Sequence, residues 1–232
     1  MVKPVHEVRD DFDHVARVAE KLRAAEDGPP QPHERYLLDR LPASIDSALE
    51  LGCGTGEFSR RLAARARRVV AVDLSPEMIR VARDRSRGYD NIGLMVGDMT
   101  ALALDGERFD CVASLNTLHH VDARLALRAM RSLLRPGGMI LIADILERSG
   151  LVNVPINALA WVVRRIRALT VERRTQRSAL HAAYRRHGCG ESHPTLAEAR
   201  RLIEGELPGA MVKGHLMWRY TVVWKGPSDA KA

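Results

Sequence analysis

Aromatic residues are scarce in this chain: Phe, Trp and Tyr make up 4% of its 232 residues. A buried core must therefore be assembled chiefly from Leu, Val and Ala. Cysteine is nearly absent as well. Cys53, Cys111 and Cys189 form no C-x-x-C pair and no metal-ligand spacing, which excludes a disulfide framework and the familiar zinc sites. Cys53, in a glycine turn, and Cys111, in an apolar strand, read as small packing residues. No apolar run approaches the roughly 20 residues a membrane-spanning helix needs, and Met1 to Glu7 contains no apolar signal core. The expectation is a reduced, cytoplasmic protein. Acids are in the minority, leaving a formal charge of +7. Arg164 to His187 holds eight arginines against Glu172 alone, so this one segment carries the whole excess and the rest of the chain is balanced.

What is present is enough apolar residue, 46%, to bury one domain with an embellishment. The chain is organised around Leu49-Glu50-Leu51-Gly52-Cys53-Gly54-Thr55-Gly56. Ser47-Ala48-Leu49 reads as the end of a buried strand and Glu57 to Ala64 as the helix after it. A strand, a glycine turn and a helix in that order make a nucleotide-type site at the carboxyl end of a parallel strand. A dinucleotide site wants G-x-G-x-x-G. Here Glu57 stands in the third glycine's place, and a carboxylate in the first helical turn would repel a pyrophosphate. A cationic or phosphate-free ligand suits the turn better.

Strands and helices then alternate. Arg68 to Asp73 is a short apolar strand ending in an acid 23 residues after Glu50, a spacing suited to reading a ribose. Ser75-Pro76-Glu77 supplies a cap and a first-turn proline for the next helix, which leaves Asp73 for the sugar. Asn91 to Met99 is a third strand running into Gly97-Asp98. Phe109 to Leu115 is a fourth, leading to Asn116-Thr117-Leu118-His119-His120. A helix over Asp122 to Leu134 and a turn at Arg135-Pro136-Gly137-Gly138 precede a fifth strand, Met139 to Ile145. Gly209 to Leu216 and Arg219 to Lys225 read as two closing strands after a helix that includes Pro194 to Ile203. Before all of these, Val8 to Asp27 and His33 to Leu41 have helical spacing. They serve either as a cap over the pocket or as packing on the sheet edge.

The Glu50-to-Gly56 pattern resembles the first motif of the class I S-adenosylmethionine-dependent methyltransferases. The Asp73, Gly97-Asp98, strand-four and Leu134-Arg135-Pro136-Gly137-Gly138 stretches follow in that family's register over about residues 46 to 146. The ending Trp218 to Trp224 resembles the last strand of its small-molecule branch, related to the ubiquinone and menaquinone enzymes. The resemblance implies an α/β, doubly wound, mostly parallel seven-stranded sheet of order 3-2-1-4-5-7-6 with strand 7 antiparallel and helices on both faces. It implies S-adenosylmethionine as cofactor, with S-adenosylhomocysteine as product. Glu50, Gly52, Gly54, Gly56, Asp73, Leu74, Met78, Asp98, Met99 and Asn116 are then the cofactor-binding candidates. Leu74 and Met78 would flank the adenine, and Asp98 would bond its amino group.

Methyl transfer from a sulfonium is an in-line displacement, so positioning does most of the work. A hydroxyl or protonated amine acceptor also needs a base, and His119 and His120 are the catalytic candidates. No metal is expected. His181, His187 and His193 lack a partner pattern and read as surface residues. The expected division is a helical cap (1–44), a cofactor-binding core (45–146), a basic helical insertion (147–192), a closing helix with two strands (193–226) and a tail (227–232). The apolar stripe of Leu151 to Leu169 and the arginines after it make the insertion first a lid over the acceptor. Peripheral contact with anionic membrane through 151–187 is the next reading. Nucleic acid ranks below both, because only Tyr184 interleaves the arginines. The expected activity is methylation of O or N of a small apolar or aromatic metabolite. The alternatives are C-methylation of a lipid or quinone precursor and a non-catalytic cofactor-binding regulatory module. The acceptor and the oligomeric state are not legible in the chain.

Overall fold

The computed structural model describes residues 4–21, 28–102, 104, 106–147, 193–216 and 218–228. Helices α1 (Val5–Lys21) and α2 (Pro32–Leu38) come first, then β1 (Ile45–Leu51), α3 (Glu57–Ala63), β2 (Ala66–Asp73), α4 (Pro76–Arg85) and β3 (Ile92–Val96). They are followed by β4 (Phe109–Leu115), one 3₁₀ turn (Leu118–His120), α5 (Ala123–Ser132), β5 (Leu134–Ile145), α6 (Leu196–Glu206), β6 (Met211–His215) and β7 (Arg219–Lys225). The basic insertion, its lid and membrane readings, His181 and His187 lie outside the described residues. No helix among those described is long and apolar enough to cross a membrane.

The strands form one sheet of order β3-β2-β1-β4-β5-β7-β6. Strands β1 to β5 run parallel, while β7 is antiparallel to both β5 and β6. This is the order and sense the family resemblance implied. Side chains alternate across each strand, so neighbouring residues enter opposite layers. Leu49, Leu51, Val70 and Val72 face a layer with Leu127 and Met130 of α5 and Ile203 of α6. Ala48, Val69, Cys111 and Ala113 face the other, with Leu37 of α2 and Phe58 and Leu62 of α3. Both described cysteines are buried and unpaired, as packing residues should be.

Local chemistry explains most boundaries. Ser75 Oγ accepts the Met78 N–H at 3.0 Å with Pro76 in the first turn of α4. Asp122 caps α5 through the Arg124 and Leu125 N–H groups, and Thr195 with Glu198 forms a capping box on α6. Strand β5 begins at Leu134 rather than Met139. Its leading residues keep a pairing, Phe109 with Leu134, across a register shift in β4, so the Pro-Gly-Gly bend lies inside the strand. Helix α1 packs on α4 through Val15, Ala16, Met78 and Val81.

The sheet reverses its winding between β1 and β4, and the crevice at such a switch point is where ligands bind. Two loops border it here: Gly52 to Gly56 after β1 and Asn116 to His120 after β4. They are latched together, because Thr117 Oγ1 reaches the carbonyls of Gly52 (3.3 Å) and Leu115 (3.0 Å). Gly52 has φ +76°, and a Cβ there would lie 2.2 Å from Thr117 Oγ1. Left-handed backbone costs an alanine about 1–2 kcal/mol, and overpacking adds about 1–3 kcal/mol. Gly52→Ala should therefore destabilise the fold by more than about 2 kcal/mol in urea denaturation. An unchanged midpoint would show that the two loops are not in close contact.

Candidate active site

Three acids converge on the β1–β2 side of the crevice. Glu50, near the end of β1, is 2% exposed and accepts the Ser59 hydroxyl from α3. Burial pushes its carboxyl up to about 8, with Asp73 adding to the shift and the Ser59 hydroxyl opposing it. Asp73, the last residue of β2, is also buried. Its Oδ2 accepts the Gly54 N–H at 2.7 Å and its Oδ1 the Ser75 N–H at 2.9 Å. Burial nevertheless raises it to about 6. Asp13 of α1 accepts the Ser75 hydroxyl and a longer bond, 3.4 Å, from the Glu77 N–H. The Ser75 cap thus behaves as its sequence predicted, but Asp73 is not left unengaged. It ties the glycine turn to the start of α4 and still has a second lone pair on each oxygen.

The remaining cofactor candidates are distributed around this edge. A Cβ on Gly54 would meet nothing within 4 Å, so the middle of the turn opens onto space. Gly56, with φ 78°, begins α3. Leu74 is half-buried beside Asp73. Met78 is 1% exposed and packed beneath α1 with Val15, Ala16 and Val81, a cover that sequence reading left undecided. Asp98 Oδ1 accepts the Thr100 N–H at 2.8 Å and its hydroxyl at 2.7 Å. Met99 is buried in the core cluster under β1 and β2. Asn116 is exposed at the end of β4 with φ 57°.

The β4–β5 side carries the imidazoles. His119 Nδ1 lies 2.5 Å from Asp144 Oδ1, and both side chains are almost wholly excluded from water. Asp144 also accepts the Ile145 N–H at 2.8 Å. The His120 ring sits 3.8 Å from that of His119 and edge-on to Phe12 of α1 at 5.1 Å. His193 stands edge-on to His119, also at 5.1 Å. It is therefore part of this cluster and not a bare surface residue. Tyr220, opposite Asp144 in β7, is buried, and burial with the Asp144 charge pushes its phenol well up. Among the described residues no group of three or more His, Cys, Asp or Glu is arranged to hold a metal ion.

Comparison with known proteins decides the family. A family model described as a methyltransferase domain matches residues 48–138. An uncharacterized methyltransferase of Mycobacterium tuberculosis is 32% identical over 197 residues, covering 84% of this chain and 95% of that one. The chain belongs to the class I S-adenosylmethionine-dependent methyltransferases. A ubiquinone biosynthesis O-methyltransferase of Xylella fastidiosa is 32% identical over 134 residues, 56% of this chain and 54% of that one. The fold is shared with DhpI, solved as its complex with SAH, at a TM-score of 0.62 and 21% identity over 95% of this chain and 97% of that one.

S-adenosylmethionine is the cofactor of this methyltransferase, and the residues present fit it. Glu50 and Asp73, carboxylates that burial holds above their usual range, suit a ligand that carries a sulfonium and an ammonium. The open turn at Gly54 allows close approach of a nucleoside. Three residues that engage these groups were missed in the sequence: Asp13, Asp144 and Arg219, whose Nη1 donates to Asn116 Oδ1. Asp144 carried a usable signal, since an acid closing an apolar strand is the feature that exposed Asp73. Asp13 and Arg219 had none, because each acts across more than 60 residues of chain.

Proposed function

We propose that this methyltransferase moves the sulfonium methyl onto O or N of a small, apolar or aromatic metabolite, with His119 as base. The observation that carries the reading is the Asp144–His119 pair at 2.5 Å on the strand ends beside the cofactor crevice. Asp144 accepts the Nδ1 proton, so the basic lone pair is on Nε2, and it stabilises the imidazolium once a proton is taken. A base of this kind serves a hydroxyl, whose proton leaves as the new bond forms, or an ammonium, which must lose its proton before its nitrogen can attack. The O-methyltransferase among the relatives points the same way. His120, wedged between Phe12 and His119, shapes the pocket wall.

In this reading Asp73 takes both ribose hydroxyls on its remaining lone pairs. Asp98 bonds the adenine amino group beside the Met99 backbone, Leu74 flanks the base, and Glu50 and Asn116 face the methionine part; Met78, expected beside the base, is instead packed beneath α1. When bound, the cofactor supplies an electrophilic methyl group. The test is to incubate the protein with methyl-labelled cofactor and a metabolite extract. Label is expected in a small molecule bearing a hydroxyl or amine. Tight cofactor binding with no transfer would instead favour a regulatory binding module.

The acids give this reading a pH signature. Glu50 and Asp73 hold protons up to about 8 and about 6 without a ligand cation nearby. A cationic ligand favours their ionised forms, so binding should release protons. Affinity for S-adenosylmethionine should rise on the order of tenfold from about pH 5.5 to about pH 7.5. Calorimetry in two buffers of different ionisation enthalpy measures both the affinity and the protons. A flat profile without proton release would show that the ionisation of neither acid is coupled to cofactor binding.

A further inference from the structure

We propose that Arg40, Lys213 and His215, gathered around the ring of Tyr36 at the β6 edge of the sheet, form a binding site for a phosphate ester. Strand β6 ends the sheet order, with β4, β5 and β7 between it and β1, so the site is separate from the cofactor crevice. Leu37 packs with Leu141 of β5 and Val223 of β7, which sets α2 over those two strands. Met211, Lys213 and His215 alternate along β6 and so share one face. Two of them meet Tyr36, which makes that face the α2 side. Lys213 Nζ is 4.5 Å from the ring centroid, and the His215 ring stands edge-on at 5.1 Å. Arg40 closes the group: its Nη1 donates to the Tyr36 carbonyl at 2.9 Å, and its guanidinium carbon lies 3.3 Å from the same centroid.

One cation on a tyrosine ring is a common stabilising contact. A second on the same ring brings a repulsion that the ring offsets only in part. The two charges are no farther apart than their centroid distances laid end to end. Among the described residues neither Arg40 nor Lys213 has a carboxylate ion pair. The neighbouring acid, Asp39, is exposed at the end of α2 and bonds through its backbone N–H. His215 feels the same field: burial first, then the Lys213 and Arg40 charges, hold it below the usual histidine range. An anion at the rim of the ring removes the repulsion.

The donors suit a phosphate. Arg40 offers a planar fork, Lys213 a point charge and Tyr36 a hydroxyl. His215 Nε2 meets Thr221 Oγ1 at 2.8 Å, so a hydroxyl donated to Nε2 leaves the neutral ring's proton on Nδ1 for the ligand. The same strand favours a bearer with an apolar body. Met211 shares the Lys213 face and is 53% exposed, and Leu216, directly after β6, is 57% exposed. Six large hydrophobic side chains are exposed among the described residues, and these two bracket the cluster. Basic groups beside exposed apolar ones are the pairing that receives a lipid headgroup.

The test titrates the protein by calorimetry with hexyl phosphate, hexanol and glycerol 3-phosphate. Hexyl phosphate should bind about tenfold or more tighter than hexanol. Arg40→Gln and Lys213→Gln should each weaken hexyl phosphate about fivefold or more. Hexyl phosphate binding tighter than glycerol 3-phosphate identifies a lipid-like bearer, and equal binding identifies a soluble ester; both keep the site. The chain carries a formal charge of +7, so the control is the double variant Arg67→Gln with Arg87→Gln, two exposed cations elsewhere, which should stay within about twofold. Affinity for S-adenosylhomocysteine should be the same in every variant, which separates loss of the site from loss of the fold. Phosphate held instead by the arginines between Arg164 and His187 would survive Arg40→Gln and Lys213→Gln. That survival, an equal loss in the control, or hexyl phosphate binding no tighter than hexanol at millimolar concentration overturns the proposal.

Discussion

His119→Ala should lower the rate of methyl transfer by about 10²–10⁴-fold, the usual contribution of a general base, while cofactor affinity stays within about twofold. The rate is measured on whichever metabolite the wild-type protein labels. The asymmetry follows from the architecture. His119 lies after β4 and is held from β5 by Asp144, whereas the cofactor candidates lie mainly after β1, β2 and β3. Asp144→Asn tests the mechanism more finely. An asparagine amide can donate to Nδ1, which forces the proton onto Nε2 and leaves no lone pair to accept one. In the proposed mechanism Asp144 acts through His119, as a positioning residue. Its asparagine variant should lose about 10²-fold or more in kcat with little change in KM. His120→Ala removes a ring packed on Phe12 and His119 and should cost less than either. Wild-type turnover in His119→Ala would mean that transfer proceeds by positioning alone. A larger loss in His120→Ala would mean the neighbouring ring holds the role.

The parts of this site that were legible in the chain are the parts made by near neighbours. The Ser75 cap, Pro76 and the acid ending β2 lie within a few residues of one another, so spacing and residue type suffice to find them. The sheet order followed from motif resemblance and needed no side-chain geometry. The proposed base and its partner were half legible. His119 stood out beside His120, but preferring it required knowing that residues after β4 meet the end of β5. That depends on the β4–β5 register, which sets Leu115 against Ala143 and so brings Asp144 level with the 3₁₀ turn. Arg219 reaches Asn116 across 103 residues, a pairing only the antiparallel return of β7 creates. Met78 was correctly placed on the helix after Asp73, yet its burial under α1 depends on a helix more than 50 residues earlier. His193 read as surface for the same reason, since its neighbour is a ring on another loop.

The second large effect is expected at Asp73. Asp73→Ala should weaken binding of S-adenosylmethionine and S-adenosylhomocysteine by about 1.5–3 kcal/mol, roughly 10- to 150-fold, the range for charge-assisted hydrogen bonds lost from a buried site. Two losses add. The ribose loses its acceptor, and the Gly54 and Ser75 N–H groups lose theirs, so the turn itself is no longer tied to α4. Stability of the ligand-free protein should change much less, because removing a carboxylate that burial has raised to about 6 also removes its desolvation cost. The two consequences separate in a thermal melt. Without ligand the midpoints should be close, while saturating S-adenosylhomocysteine should raise the wild-type midpoint and barely move the variant's. Asp73→Asn is the sharper control. Its amide turns one oxygen into a donor facing either the Gly54 or the Ser75 N–H, so it keeps the shape of the side chain and loses half its accepting capacity. Binding between that of alanine and wild type is expected. Unchanged affinity in Asp73→Ala would reduce the residue to a staple of the glycine turn and hand sugar recognition to another group.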